Sequence, residues 1–376
     1  MITTDAWVLH AGPAGATRSG GELRRETLHL PAPASHEALV EPLLGGWEAN
    51  MSHAIARSPV DICRQRGEDR VLLGNCGIVR VLRPAAALRS PAEGRICLLM
   101  PFGKSDLRGY AELVHAYDAP GTYGMLATRV TVPAERLLPL PKDTRFSLAQ
   151  WASYGRYFTA WDNWRIAHAC WSSQMADEDP ADHLVFGWGG GVALAALLLA
   201  RRCGFRTAMA ASSSARLDLI AKQGITPVDR REFPDIDSRG DKRQRACART
   251  FLRQISALSD AQGCAIILDN LGGPAYETTL RALARQGVIS TCGWKTGMNL
   301  KVTRASECQL RHLHVHTHAW RFPDTPAIRD FAEKTGWIAE EEFMHVYDFD
   351  DIPRLAADFE ANRIDSYFPA YRVNPI

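Results

Sequence analysis

Four glycines carry the clearest chemical signal in the chain. Gly187, Gly189, Gly190 and Gly191 fall within five positions, after the apolar run Leu184–Phe186 and before an Ala-rich stretch that begins at Val192 and runs to Ala200. A strand, a glycine turn and a helix in that order let backbone approach a pyrophosphate with no Cβ in the way. The helix start then supplies free N–H groups and the positive end of its dipole. Glycine-rich turns also serve purely structural ends, so the segment gains weight from the strand–helix rhythm downstream of it.

A second apolar run, Arg206–Ala211, ends in Ser212-Ser213-Ser214 and then Arg216. Dinucleotide-binding folds that prefer NAD commonly place Asp or Glu at that point, to accept the ribose 2′-OH. Hydroxyls and a guanidinium suit a 2′-phosphate instead, which favours NADPH. The serines are equally suited to cap the next helix, and the two roles are compatible. Asn270 and Gly293 close the fourth and fifth apolar runs and complete the candidate cofactor set.

These residues need a scaffold that brings strand ends together. Gly204 and Gly224 punctuate the pattern as helix stops. Helix is expected over residues 217–222 and 276–285, and strand over 206–211, 226–229, 264–268 and 288–292. Apolar strands alternating with helices imply a doubly wound parallel sheet, with ligands at the carboxyl ends of its strands. The charge-dense stretch from Asp229 to Arg253 reads as a solvated loop and then a surface helix.

The first half has a different texture. Short runs at residues 7–10, 38–44, 71–73, 78–82, 95–100, 125–132 and 137–138, many separated by Pro or Gly, predict a mostly β domain. A length of 376 residues suits about two domains. A net charge of +2 without a face-long basic run argues against nucleic acid. No apolar run approaches the ~18 residues of a membrane span. The opening residues lack a signal-peptide pattern, and nine cysteines occur without C-x-x-C spacing, so a reducing cytoplasm is expected.

The whole pattern resembles the medium-chain dehydrogenase/reductase superfamily. The likeness rests on the opening strand around Trp7–His10, the Leu73–Gly77 turn (LGNCG), Val132–Pro141 (VPAERLLPLP), Thr159-Ala160, the Gly187–Ala193 turn (GWGGGVA), Leu268–Gly273 (LDNLGG) and Ile289–Gly293 (ISTCG). It implies a GroES-like β-barrel domain over residues 1–155 and 322–376, and a Rossmann domain over 156–321. In that superfamily Gly-x-x-Gly-x-x-Gly spacing is typical of quinone and enoyl reductases; here it reads Gly187, Gly190, Ala193.

Zinc-dependent members carry a Cys, a Gly-His-Glu and often a four-cysteine lobe. Here the corresponding places read Trp47-Glu48 and Gly74-Asn75-Cys76, and residues 99–124 hold no cysteine. Zinc needs three or four S, N or O ligands, so no metal is expected. Without a Lewis acid, hydride delivery to an activated acceptor is the chemistry left to a nicotinamide. The Gly74-Asn75-x-Gly77 turn is similar to that of 2-enoyl thioester reductases. Tyr117-Asp-Ala-Pro120 and Val228-Asp229-Arg230 resemble the crotonyl-CoA carboxylase/reductase branch, in which Tyr117-Asp118 would stand where carbon dioxide is held.

The resemblance therefore implies a zinc-independent NADPH-dependent reductase of an α,β-unsaturated thioester or enone. The substrate would be a small molecule or a group carried on coenzyme A or a carrier protein. A quinone reductase, a reductive carboxylase and a non-catalytic cofactor-binding protein stand as alternatives. A homodimer is expected, with neither nucleic acid nor membrane as partner.

Reduction of a conjugated C=C needs an oxyanion partner and a proton source. By resemblance Thr159 begins the helix beneath the nicotinamide; an ordinary N-cap is the alternative. Tyr157, Tyr154 and Tyr123 are candidate proton donors, and Asn50 and Asn75 can orient a carbonyl or simply serve turns. Tyr157, Trp161 and Trp164 share helical spacing, as core packing or as a pocket wall. His312, His314, His316 and His318 alternate, so one strand face would carry all four. A subunit interface, an incidental metal or a catalytic His318 would each fit them.

Overall fold

The computed structural model describes residues 1–12, 20–86, 90–238, 240, 242–293, 301–317 and 319–376. The chain divides into two compact units: Met1–Gly155 with Arg321–Ile376, and Arg156–Trp320.

The first unit opens with strands β1 (Ile2–His10), β2 (Leu23–Leu30) and β3 (Glu37–Gly46), then helices α1 (Ala49–Ala56) and α2 (Ile62–Arg66). Next come strands β4 (Arg70–Leu72), β5 (Gly77–Arg83), β6 (Ile96–Leu99), β7 (Phe102–Ser105), β8 (Ala111–Val114), β9 (Val130–Pro133) and β10 (Leu137–Pro139). Helix α3 (Leu148–Ala152) carries a reciprocal capping box between Ser147 and Gln150, which satisfies its first free N–H groups. Helix α4 (Tyr154–Ser172) contains the point where one unit gives way to the next.

The second unit contains β11 (Leu184–Trp188), α5 (Gly191–Arg202), β12 (Arg206–Ala211), α6 (Ser214–Lys222), β13 (Thr226–Asp229), α7 (Lys242–Leu258), β14 (Cys264–Asp269), α8 (Ala275–Ala282), β15 (Leu283–Thr291) and β16 (His314–Thr317). The chain then returns to the first unit with α9 (Thr325–Thr335), β17 (Met344–Tyr347), α10 (Ile352–Glu360) and β18 (Phe368–Arg372).

In the second unit the sheet order is β13-β12-β11-β14-β15-β16, every described pair parallel. Counted from β11 this is 3-2-1-4-5-6, the doubly wound order with its switch between β11 and β14. Strands β11 and β14, apolar but for the terminal Asp269, lie at the centre and are buried throughout. Phe186, Trp188, Phe233 and Phe251 pack ring against ring in its core.

In the first unit β3 is the hub. It pairs with β5, β9 and β18, the last bringing Tyr371 opposite Gly45. The sheet runs β10-β6-β5-β3-β18-β17, and a second sheet, β2-β1-β4, packs into the same apolar core.

Several boundaries differ from expectation. Helix α6 starts at Ser214 rather than at 217, because Ser213 caps it. Helix α8 ends at Ala282 rather than at 285, because Leu283 already pairs with Cys264 in the sheet. The stretch after Asp229 is no purely solvated loop: Phe233 and Ile236 are fully buried. Only residues 130–132 of the predicted run 125–132 lie in a strand, and β2, β7, β8, β17 and β18 were not anticipated.

Candidate cofactor and active site

The glycine turn divides its labour. Gly187 sits inside β11 facing α5, and a Cβ there would come within 2.8 Å of Leu197, so this glycine permits close helix–strand packing. Gly189 turns the chain at φ +108°, a conformation that favours glycine. Gly190 is the exposed N-cap of α5, and a Cβ built on it would meet nothing within 4 Å. Gly191 opens the helix, and the half-buried Val192 comes next. The result is an uncluttered helix start with unspent N–H groups, the surface an anionic diphosphate needs.

Beyond β12, Ser212 is exposed and Arg216 half-buried. The Ser213 hydroxyl accepts from the Arg216 N–H at 3.3 Å and caps α6. The structure adds a residue that sequence reading missed. Arg231 donates to Ser214 at 3.3 Å, while Asp229 grips its guanidinium at 2.6 to 3.0 Å and raises its pKa further. The signal was available in the charge-dense run after Asp229, at the end of the neighbouring strand. The Arg231 guanidinium and the serine hydroxyls after β12 are groups matched to a phosphate.

On the other side of the switch, Asn270 comes directly after β14 and its Oδ1 accepts from the Cys292 amide and thiol, at 3.3 and 3.1 Å. The carbonyl of Gly293 accepts from the Thr291 hydroxyl at 3.0 Å. Asp269 is buried, its carboxyl pushed up by desolvation while one oxygen accepts from Leu271 and Gly272 amides. These contacts fix the loop geometry at the ends of β14 and β15.

The first unit holds a different kind of site. Tyr371 lies fully buried across two glycines. A Cβ on Gly45 would stand 2.4 Å from its hydroxyl, and one on Gly74, at φ +100°, 2.5 Å from the same atom. That hydroxyl has no hydrogen-bond partner, nor has either side-chain polar atom of the buried Asn75. Glu48 and Cys76 crowd the neighbouring space, their Oε1 and Sγ 2.8 and 3.1 Å from a Cβ placed on Gly155. Burial first, then the charges of Cys76 and Glu48, hold the Tyr371 phenol well above its ordinary pKa. Sequence reading missed Tyr371 because its place is set by the β3–β18 pairing.

The model for the zinc-binding dehydrogenase family matches residues 191–334. Over 98 % of its length the chain superposes on 87 % of a 2-octenoyl-CoA carboxylase reductase solved with NADP and 2-octenoyl-CoA, at TM-score 0.80 and 17 % identity. It also superposes on a crotonyl-CoA carboxylase/reductase solved with NADP, covering 99 % of this chain and 95 % of that one (TM-score 0.77, 20 % identity). The alcohol dehydrogenase of Aeropyrum pernix matches over 98 % and 100 % (TM-score 0.76, 15 % identity). The fold is that of the medium-chain dehydrogenase/reductases. Among curated sequences, a phenolphthiocerol/phthiocerol polyketide synthase of Mycobacterium tuberculosis is 27 % identical over 300 residues, 75 % of this chain. The chain spans only 12 % of that protein's length.

Within that fold, several residues depart from the sequence expectations. Thr159 neither begins a helix nor caps one. It lies inside α4, which extends back to Tyr154, and its hydroxyl accepts from the Trp320 indole at 2.8 Å. Tyr157 is fully buried in α4 with Trp164, whereas Trp161 is half-buried. The Tyr154 hydroxyl donates to the Thr325 carbonyl at 2.8 Å and its pKa is raised by burial. Tyr123 is half-buried and its carbonyl faces a His115 ring nitrogen at 3.0 Å. Asn50 lies in α1 with a buried, unpartnered Oδ1.

The four-imidazole face does not form. His312 precedes the strand in a left-handed conformation, φ +55°, and only His314 and His316 alternate within β16. His314 Nε2 donates to Gln174 Oε1 at 2.8 Å. His318 lies outside the described residues. Among the described residues no three His, Cys, Asp or Glu side chains gather as a metal would require. Asp118 commits one carboxylate oxygen to the Val114 amide, holding the turn after β8.

Proposed function

We propose that the chain is a zinc-independent, NADPH-dependent reductase of an activated C=C bond, with an α,β-unsaturated thioester as acceptor. The observation that carries this reading is the pairing of an open Gly190 helix start with Ser212, Ser213, Arg216 and Arg231 around the end of β12. NADPH fits that set, since a diphosphate meets unhindered N–H groups and a 2′-phosphate meets guanidinium and hydroxyl donors. Its neighbours in fold were solved with NADP, and one also with an enoyl thioester. The polyketide synthase relative supports a thioester on coenzyme A or a carrier protein.

When bound, the nicotinamide supplies hydride to the β carbon. The protein's part is to bind, orient and exclude water. Gly189, Gly190, Gly191 and Val192 would hold the diphosphate segment, with Gly187 letting α5 pack close behind them, and Asn270 and Gly293 line the turns after β14 and β15. Thr159, its rotamer fixed by Trp320, hydrogen-bonds the carboxamide or the substrate oxygen. Tyr157, Tyr123 and Asn50 remain candidates for orienting the acceptor. The donor set supports work without zinc: Glu48 and Cys76 offer two ligand types where Asn75 stands in a histidine's place. Asp118, engaged in its turn, speaks for simple reduction over carboxylation.

The test is NADPH oxidation with crotonyl-CoA, and separately with a simple quinone, each with and without a chelator and bicarbonate. Chelator-resistant turnover of the thioester, independent of bicarbonate, is the expected result. Turnover of the quinone alone, or loss of activity with chelator, would overturn the reading.

A further inference from the structure

Burying a hydroxyl or an amide without a partner is costly, and such groups are rare in folded proteins unless a ligand or water meets them. The first unit does this at two residues, Tyr371 and the Asn75 that follows the glycine its hydroxyl faces. The Tyr371 hydroxyl stands 2.5 Å from where a Cβ of Gly74 would be, and the next residue is Asn75, both of whose side-chain polar atoms lack partners. Neither group is needed where it is for packing alone. Phenylalanine would fill the space over Gly45, and an apolar side chain would satisfy the site of Asn75 better than an orphaned amide does.

Both groups can donate. Tyr371 offers one O–H and Asn75 two N–H, and both are buried away from competing water. Burial keeps the phenol protonated across the physiological range, so it donates and does not act as a base. Donors fixed in a dry site stabilise an oxyanion far better than donors that must first shed solvent.

We infer that Tyr371 and Asn75 form an oxyanion site that hydrogen-bonds the carbonyl oxygen of the acceptor. This rests on the reductase reading. Hydride adds to the β carbon, the C=C electron pair moves to join the α and carbonyl carbons, and the carbonyl pair moves onto oxygen. Tyr371 and Asn75 hold that enolate oxygen. The enolate then collapses with uptake of a solvent-derived proton at the α carbon, giving the saturated thioester and the oxidised nucleotide. In this chain two neutral donors take the place that a Lewis acid fills in metal-dependent chemistry.

The test compares Tyr371→Phe and Asn75→Ala with the wild type, using NADPH and crotonyl-CoA on the full chain. Each variant should lose about 10²-fold in kcat, the usual loss for one oxyanion donor. NADPH affinity, read by fluorescence titration, should stay unchanged. The Phe variant should melt at the same temperature or higher, because it removes an unsatisfied group. Wild-type kcat in both variants would overturn the inference and leave a buried water as the partner of these groups. A Phe variant that melts lower would also overturn it, by giving the hydroxyl a structural bond. A silent wild type would remove the reductase reading, and this inference with it.

Discussion

The candidate cofactor groups of the second unit and the notable polar groups of the first are placed in opposite ways. In the second unit those groups are at or near the surface and already positioned: Gly190 is an exposed helix cap, Ser212 is exposed, and Arg231 is held by Asp229. In the other unit the notable groups are buried and unmet, as Tyr371, Asn75 and the His115 Nδ1 illustrate. An open cap gives a charged ligand affinity at little expense to the fold. Buried, unsatisfied donors cost stability, and natural sequences tolerate that where activity depends on it. On the proposed reading, the contrast separates a site for holding from a site for reacting.

The contrast can be broken most decisively at Gly190. Gly190→Asp keeps a good N-cap residue, so the fold should survive. Its carboxylate would repel the diphosphate and claim the same N–H groups, costing about 3 kcal/mol, or ~150-fold in NADPH affinity. Calorimetric titration checks this, and unchanged affinity would sink the cofactor assignment.

The second prediction concerns the buried side of the comparison. Burial lowers the His115 pKa from 6.5 to about 4, chiefly through desolvation. An unfolded chain takes up that proton near 6.5 and the folded chain only near 4. Stability should therefore be complete above the higher value and fall as pH drops through that window, by a total of about 3 kcal/mol. His115→Gln should flatten that acid limb, measured by urea unfolding across the window; a slope that persists unchanged would assign it to other groups.

The smallest effect sharpens the nucleotide site. Arg216→Ala should weaken NADPH by about 2 kcal/mol, the worth of a charge-assisted contact, while leaving NADH nearly untouched. Equal losses for the two nucleotides would place Arg216 away from the 2′-phosphate.

The second unit was legible in the sequence because its logic is local. Each βα turn is contiguous, so apolar strands, glycine stops and the Ser212–Ser214 run announce themselves within a few residues. Even there, Phe233 and Ile236 were lost among the charges that surround them. The other unit is built by pairings between distant segments. Tyr371 meets Gly45 only through the β3–β18 register, and no local pattern encodes that. Asn75 was legible as a residue type in a notable turn, but its lack of partners was not. Thr159 was misplaced for another reason: the aromatic residues before it, Tyr154 to Phe158, belong to the same helix, which tertiary packing extends past any cap signal.

The β3–β18 pairing also sets a timetable. Synthesis proceeds from the N-terminus, and domains generally fold as units. All of Arg156–Trp320 emerges as one continuous piece, so its parallel sheet can close while translation continues. The Leu44–Gly46 end of strand β3 must wait with one edge unpaired until β18 leaves the ribosome. The first unit therefore matures only after the second has been made.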